Sequence, residues 1–370
     1  MRASLIAFTL GTLATLGSPR LLAAAPPADA HLLYVASPDA AQPASGGTPP
    51  GVMIFDIEHD HRFVRRIGIP NFQEGIRGFC ASAATHRAYY TTTNHLLGCL
   101  DLESDKVLWE KRYAAGCDRA AITPDGKKLY VPTGWWLNGE KSGWMVIDAA
   151  NGNLLKEIHV GSQAHNTVMS LDGSLVFGGT ETMLTIMRTD DDTIVRSISP
   201  IGESGVFPFT VNSTGKLAFV CLGKHVGFDV ADIETGKVLH RVLAGDGNLN
   251  RRTHGAALTP DEKELWISDQ GGKRLYIFDA TAMPPVENGQ IDLSAGGHGW
   301  VTFSIDGRYA WCHTSDVIDA RSRQIIATLK DDAGQPVGNS KFFETVWKAG
   351  ALAKVGDQFG VGRLRGGSKK

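Results

Sequence analysis

Six residues recur at near-equal intervals and carry related chemistry. Arg77, Asp118, His165, Phe207, His254 and His298 are spaced by 41, 47, 42, 47 and 44 residues. The first five lie seven residues before the Asp, or its aligned counterpart, of a short turn signal such as Thr123-Pro124-Asp125-Gly126. At the sixth the counted position is Gly299, with His298 just before it. Three of the chain's twelve histidines fall in this series, more than an even scatter would place there. Neutral imidazoles that converge on one point bind a divalent metal, so His165, His254 and His298 are the candidate metal ligands, with Asp118 as an oxygen donor. Such a metal would polarise a carbonyl and activate water. Without a metal, His165 and His254 suit general acid or base work beside Arg77, which can grip a carboxylate through two parallel bonds. Asp118, Phe207 and His298 would then line the ligand. The plainer alternative is a polar channel mouth whose histidines bond backbone and water.

Other groups can join such a site. Trp135 and Trp136 can stack on a ligand ring or pack between loops. Asn94, Glu181, Asp269 and the run His313-Thr314-Ser315-Asp316 end candidate strands on the same side, and the carboxylates among them suit calcium or a sugar-like ligand. Asp269 and His313 are therefore further ligand-binding candidates. His59-Asp60-His61 reads as a solvated turn on the opposite side. The sequence holds no GxSxG, HExxH, P-loop or strand–helix GxGxxG motif, so those enzyme classes have no support.

These positions are held by a repeat. Ile122-Thr123-Pro124-Asp125-Gly126 is followed by Leu129-Tyr130-Val131 and by Met145-Val146-Ile147-Asp148. Copies begin at Leu258-Thr259-Pro260-Asp261 and Met169-Ser170-Leu171-Asp172-Gly173. Weaker copies begin at Phe303, Val211 and Phe79. Short Val, Ile, Leu and aromatic runs between Pro-Asp-Gly-type turns are strands joined by hairpins. The third run closes on Asp56, Asp101, Asp148, Asp232, Asp279 or Asp319, with Arg188 at the seventh such position. Seven units of about 45 residues predict an all-β, seven-bladed β-propeller of four-stranded blades.

The first unit opens at His31-Leu32-Leu33-Tyr34-Val35 with no strand before it, and Lys341–Trp347 is a strand with no unit after it. The C-terminal strand is therefore expected to close the first blade, which removes an open sheet edge. The propeller then spans 31–347, and 348–370 is a Gly- and Lys-rich tail expected to be loosely ordered. Long insertions at 37–51, 133–144 and 245–253 fall on one face, the expected binding face.

The segments Thr123–Val131 and Met145–Asp148 resemble the YVTN repeat of YncE-like and lactonase-like seven-bladed propellers. The resemblance spans nearly the whole chain after residue 30. It implies the fold. It also implies a choice of roles seen among such proteins: exported binding proteins, surface-layer proteins, lactonases or propeller subunits of redox enzymes. The matching residues are turn and strand residues, so no catalytic role passes through them.

Residues 1–30 read as a secretory signal peptide. Arg2 precedes an apolar run from Leu5 to Leu16, and small residues at 23–25 and 28–30 place cleavage between 24 and 30. The expected protein is periplasmic or secreted, monomeric and without a membrane span. Lys and Arg number 37 against 39 Asp and Glu, a formal charge of −2, which gives no basic face for nucleic acid. Five cysteines without CxxC spacing exclude a disulfide-dense scaffold and a Cys-based zinc site. The expected function is capture of a small polar or anionic ligand at the channel mouth, with a divalent metal or lactonase-like hydrolase or lyase chemistry as its extension. The alternative is a non-catalytic scaffold that meets a protein partner through the long loops.

Overall fold

The computed structural model describes residues 29–39, 50–205, 208–247, 251–338 and 341–364. The segment read as a signal peptide and the position Phe207 lie outside the described residues. Seven antiparallel sheets form the ring. Blade 1 holds 30–68 together with 341–355, and blades 2 to 7 hold 76–112, 121–159, 166–198, 209–243, 253–292 and 301–328. No helix among the described residues is long and apolar enough to cross a membrane.

The turn residues explain the repeat. Thr123 Oγ1 donates to Asp125 Oδ1 at 2.6 Å and accepts from Lys128 N at 3.0 Å, tying the hairpin shut. Ser170 with Asp172 and Ser304 with Asp306 do the same at 2.7 and 2.6 Å. Gly126 sits at φ +71°, a left-handed value that side chains resist. The Asp ending the third strand caps the next turn: Asp148 Oδ1 accepts from Ala150 N at 2.9 Å and Asp101 Oδ1 from Ser104 N at 2.7 Å. Third strands are buried almost throughout, as in Gly143–Asp148, while fourth strands such as Leu154–His159 are mostly exposed. Apolar side chains from neighbouring blades fill the wedges between sheets.

Lys341–Lys348 closes blade 1 by pairing with Ala30–Ser37, with Leu32 opposite Thr345 and Tyr34 opposite Phe343. Tyr34 and Phe343 stack at 5.3 Å. Beneath this seam His31 donates to Glu58 at 2.7 Å and to Glu344. Arg308 of blade 7 adds a bond to Glu58 at 3.1 Å.

Residues 348–364 do not form a loose tail. Ala351–Val355 adds a fifth strand inside blade 1. Residues 356–363 then cross the lower mouth of the channel. Gly360 O accepts from Leu258 N at 2.9 Å and Thr210 Oγ1 at 2.8 Å, and Gly362 N donates to Val211 O at 3.0 Å. Phe359 and Val361 are buried by this crossing, which offsets the entropy of ordering it.

His61 also departs from the solvated turn expected for it. It is buried, packs at 4.8 Å against Tyr309 and accepts from Trp311 Nε1 at 3.1 Å. Burial, helped by nearby His31 and Arg308, pushes its imidazole down to about 4. All five cysteines are unpaired thiols.

Candidate functional site

The upper ends of the inner strands enclose a cavity of about 380 Å³. Arg77, His165, His254 and His298 all line it, so four of the six periodic positions meet at one place. Each of the three long insertions contributes one residue as well: Asp39, Trp135 and Arg252.

Asp118 stands behind this lining. It is fully buried, and its Oδ2 accepts from His165 Nδ1 at 2.6 Å. That contact fixes the tautomer, leaving the Nε2 lone pair to accept from Arg119 at 2.6 Å. Burial alone would raise the Asp118 carboxyl, but its partners His165, which donates a hydrogen bond to it, and Arg119 outweigh that and hold it low. Burial lowers His165, and Asp118 opposes this while Arg119 reinforces it, so the ring is neutral near pH 7.

Arg119 was not visible as a site residue in the sequence. It is 4% exposed, and its guanidinium lies 4.6 Å from the centre of the Trp300 ring. The ammonium of Lys341, also hidden in the sequence reading, lies 4.2 Å from that ring and pairs with Asp39. Burial pushes Lys341 down to about 8, against the pull of Asp39. A residue next to a periodic position, here Arg119 beside Asp118, was the available signal. Lys341 starts the closing strand, whose turn at Ala349-Gly350 counts back to the adjacent Phe342.

The rim carries a second stacked guanidinium. Arg77 lies 4.7 Å over Trp136, and His95 stacks on the same indole at 5.5 Å. Trp136 thus supports Arg77, while Trp135, 51% exposed, lines the cavity. Arg77 makes no ion pair among the described residues, and its Nε is buried without a hydrogen-bond partner.

The three histidines expected as metal ligands, His165, His254 and His298, meet in the cavity without forming an ion-binding cluster: among the described residues no three His, Cys, Asp or Glu side chains are arranged to hold an ion. Both ring nitrogens of His165 are engaged by Asp118 and Arg119. His254 Nδ1 donates to Gly299 O at 2.9 Å, and its ring packs 3.6 Å from that of His298. Burial first, then neighbouring charges, holds both rings well below the usual imidazole range.

Two other candidates lie outside the cavity lining. Asp269 is tied to Arg251 by bonds of 2.9 and 2.6 Å, so it braces a loop instead of facing the ligand space. His313 is 1% exposed and does not line the cavity; burial pushes it down to about 4. Glu181 does line the cavity, as its place at a strand end implied.

No known family profile matches the chain, and no curated protein sequence does. Solved structures do. The chain is similar to the β-propeller domain of Cps50 (Swd1) from Myceliophteria thermophila, with a TM-score of 0.58 and 12% identity over 77% of this chain and 95% of that one. It is similar to the dihydro-heme d1 dehydrogenase NirN in complex with DHE, with a TM-score of 0.57 and 17% identity over 89% of this chain and 77% of that one. A hydrazine synthase from Kuenenia stuttgartiensis superposes at a TM-score of 0.44 and 18% identity, over 68% of this chain and 95% of that one. At such identities the likeness concerns the fold alone.

Proposed function

We propose that this protein is an exported binding propeller, of the YVTN/YncE-like kind, that captures a small anionic ligand in the upper channel cavity. The observation that carries the reading is Arg77: a guanidinium stacked on Trp136, facing a cavity, with no carboxylate of its own. An unpaired, partly desolvated guanidinium is costly unless an anion completes it. Arg119 and Arg252 face the same space, and three neutral imidazoles surround it with hydrogen-bonding groups. The volume is at the small end for ligand pockets, which favours a small molecule.

NirN, a protein of similar fold, is described in complex with DHE, which supports a ligand-holding role for this architecture. Metal-assisted or base-catalysed hydrolysis is not the reading favoured, since both nitrogens of His165 are already bonded.

Trp135 at the rim gives the readout. Titration with acetate and inorganic phosphate should shift tryptophan fluorescence, and Arg77→Met should weaken the response at least tenfold. A wild-type protein indifferent to both anions and to longer carboxylates would reject the reading and favour the scaffold role of the long loops.

A further inference from the structure

We propose that the ligand is an elongated dicarboxylate, seated end-on along the channel axis. This rests on the anion-binding reading above and adds the number and placement of charges. The cavity offers two guanidinium forks, each over a different indole: Arg77 over Trp136 at 4.7 Å and Arg119 over Trp300 at 4.6 Å. Stacking fixes the plane of a guanidinium, and its N–H edge matches a carboxylate.

The two forks stand at different depths. Arg77 holds the rim position of its inner strand, while Arg119 lies one residue further in than its own rim position, Asp118. Trp136 belongs to an upper loop. Trp300 is 1% exposed and packs at 5.6 Å on Phe359 of the segment that crosses the lower mouth. One fork is therefore at the entrance and the other near the floor.

Both forks have unused donors. The Nε atoms of Arg77 and Arg119 are buried without a partner, as is Nδ1 of His298 in the same lining. Of the carboxylates nearby, Asp39 holds Lys341, Asp118 accepts from His165 and lies 3.7 Å from Arg119 Nη1, and the exposed Glu181 accepts from Ser162 at 3.4 Å, so none of them pairs with Arg77. A cavity of about 380 Å³ has room for about a dozen waters at ~30 Å³ each, far more than one phosphate fills.

Calorimetric titration of the full chain tests this. The probes are malonate, succinate, glutarate and adipate against acetate, butyrate and inorganic phosphate, at pH 7 and fixed ionic strength. At least one dicarboxylate should bind tenfold or more tighter than the monocarboxylate of equal length. Arg77→Met should weaken every anion at least tenfold and the dicarboxylates further, so that the ratio collapses to about one. Arg119→Lys should weaken both classes, and Arg77→Lys should keep part of the preference. Unchanged melting temperatures show that the variants are folded. Equal affinity for both classes, tightest binding of phosphate, or a ratio that survives Arg77→Met would overturn the dicarboxylate inference alone. Failure of every anion to bind would overturn the anion-binding reading beneath it.

Discussion

The two mouths of one channel are built by the same inner strands and differ sharply in chemistry. The upper mouth gathers Arg77, Arg119, His165, His254 and His298 around open space. The lower mouth is bordered by turn residues such as Ser82, Thr123 and Ser170, and the chain's own 356–363 segment lies across it beside a larger recess of about 950 Å³. The two spaces share no lining residue. Hydrogen bonding accounts for the contrast. At the lower end Thr123 and Asp125 spend their polar atoms closing a hairpin. At the upper end the strands begin without a tight turn, so their side chains are available for a ligand. Function collects where the repeat's own turns demand least.

Four substitutions bear on that contrast. Phe359→Ala removes the main apolar contact of the lower segment and should cost about 3 kcal/mol, read from urea denaturation. It should also weaken anion binding, since Trp300 loses its support; unchanged affinity would mean that the two mouths are independent. Gly360→Ala comes next. Gly360 has φ +55°, and a Cβ there would lie 2.3 Å from that of Ala257, so a loss of about 2 kcal/mol is expected in the same assay.

His31→Ala should cost about 1.5–2 kcal/mol near pH 6, because the buried Glu344 loses a charged donor. The imidazole is raised in the fold: burial lowers it, but the bonds and charges of Glu344 and Glu58 outweigh that. Its stabilisation is therefore full below the unfolded value of 6.5 and is lost as pH rises through the raised value. Glu58 is held low, chiefly by His31, so its share is lost only as pH falls through that lowered value. Melting temperatures across pH 5–9 should fall at the alkaline end in wild type and flatten in the variant. Smallest in stability is Arg77→Met, expected within about 0.5 kcal/mol of wild type, although it should have the largest effect on binding. A large stability loss there would mean that Arg77 is a structural brace.

The sequence made the fold legible because each blade repeats its turn chemistry. Thr-Pro-Asp-Gly and the Asp ending the third strand are local signals with local causes. It also placed Arg77, His165, His254 and His298 together, since equivalent positions in a ring of similar strands must face one axis. It could not show that Asp118 and Arg119 would engage both nitrogens of His165, because that depends on side-chain directions across two blades. Lys341, Asp39 and Arg252 were hidden for a different reason: they come from the closing strand and the insertions, which carry no repeat. Asp269 looked available at its strand end until Arg251, from a loop without periodicity, was seen to claim it.

With the segment 356–363 bonded across the lower mouth, the upper mouth is the expected route of ligand exchange. Arriving ligand and departing water must share that opening, and a second molecule cannot enter until the first has left. Exchange is therefore a queue. The rate at which bound ligand escapes should not depend on how much competitor waits outside.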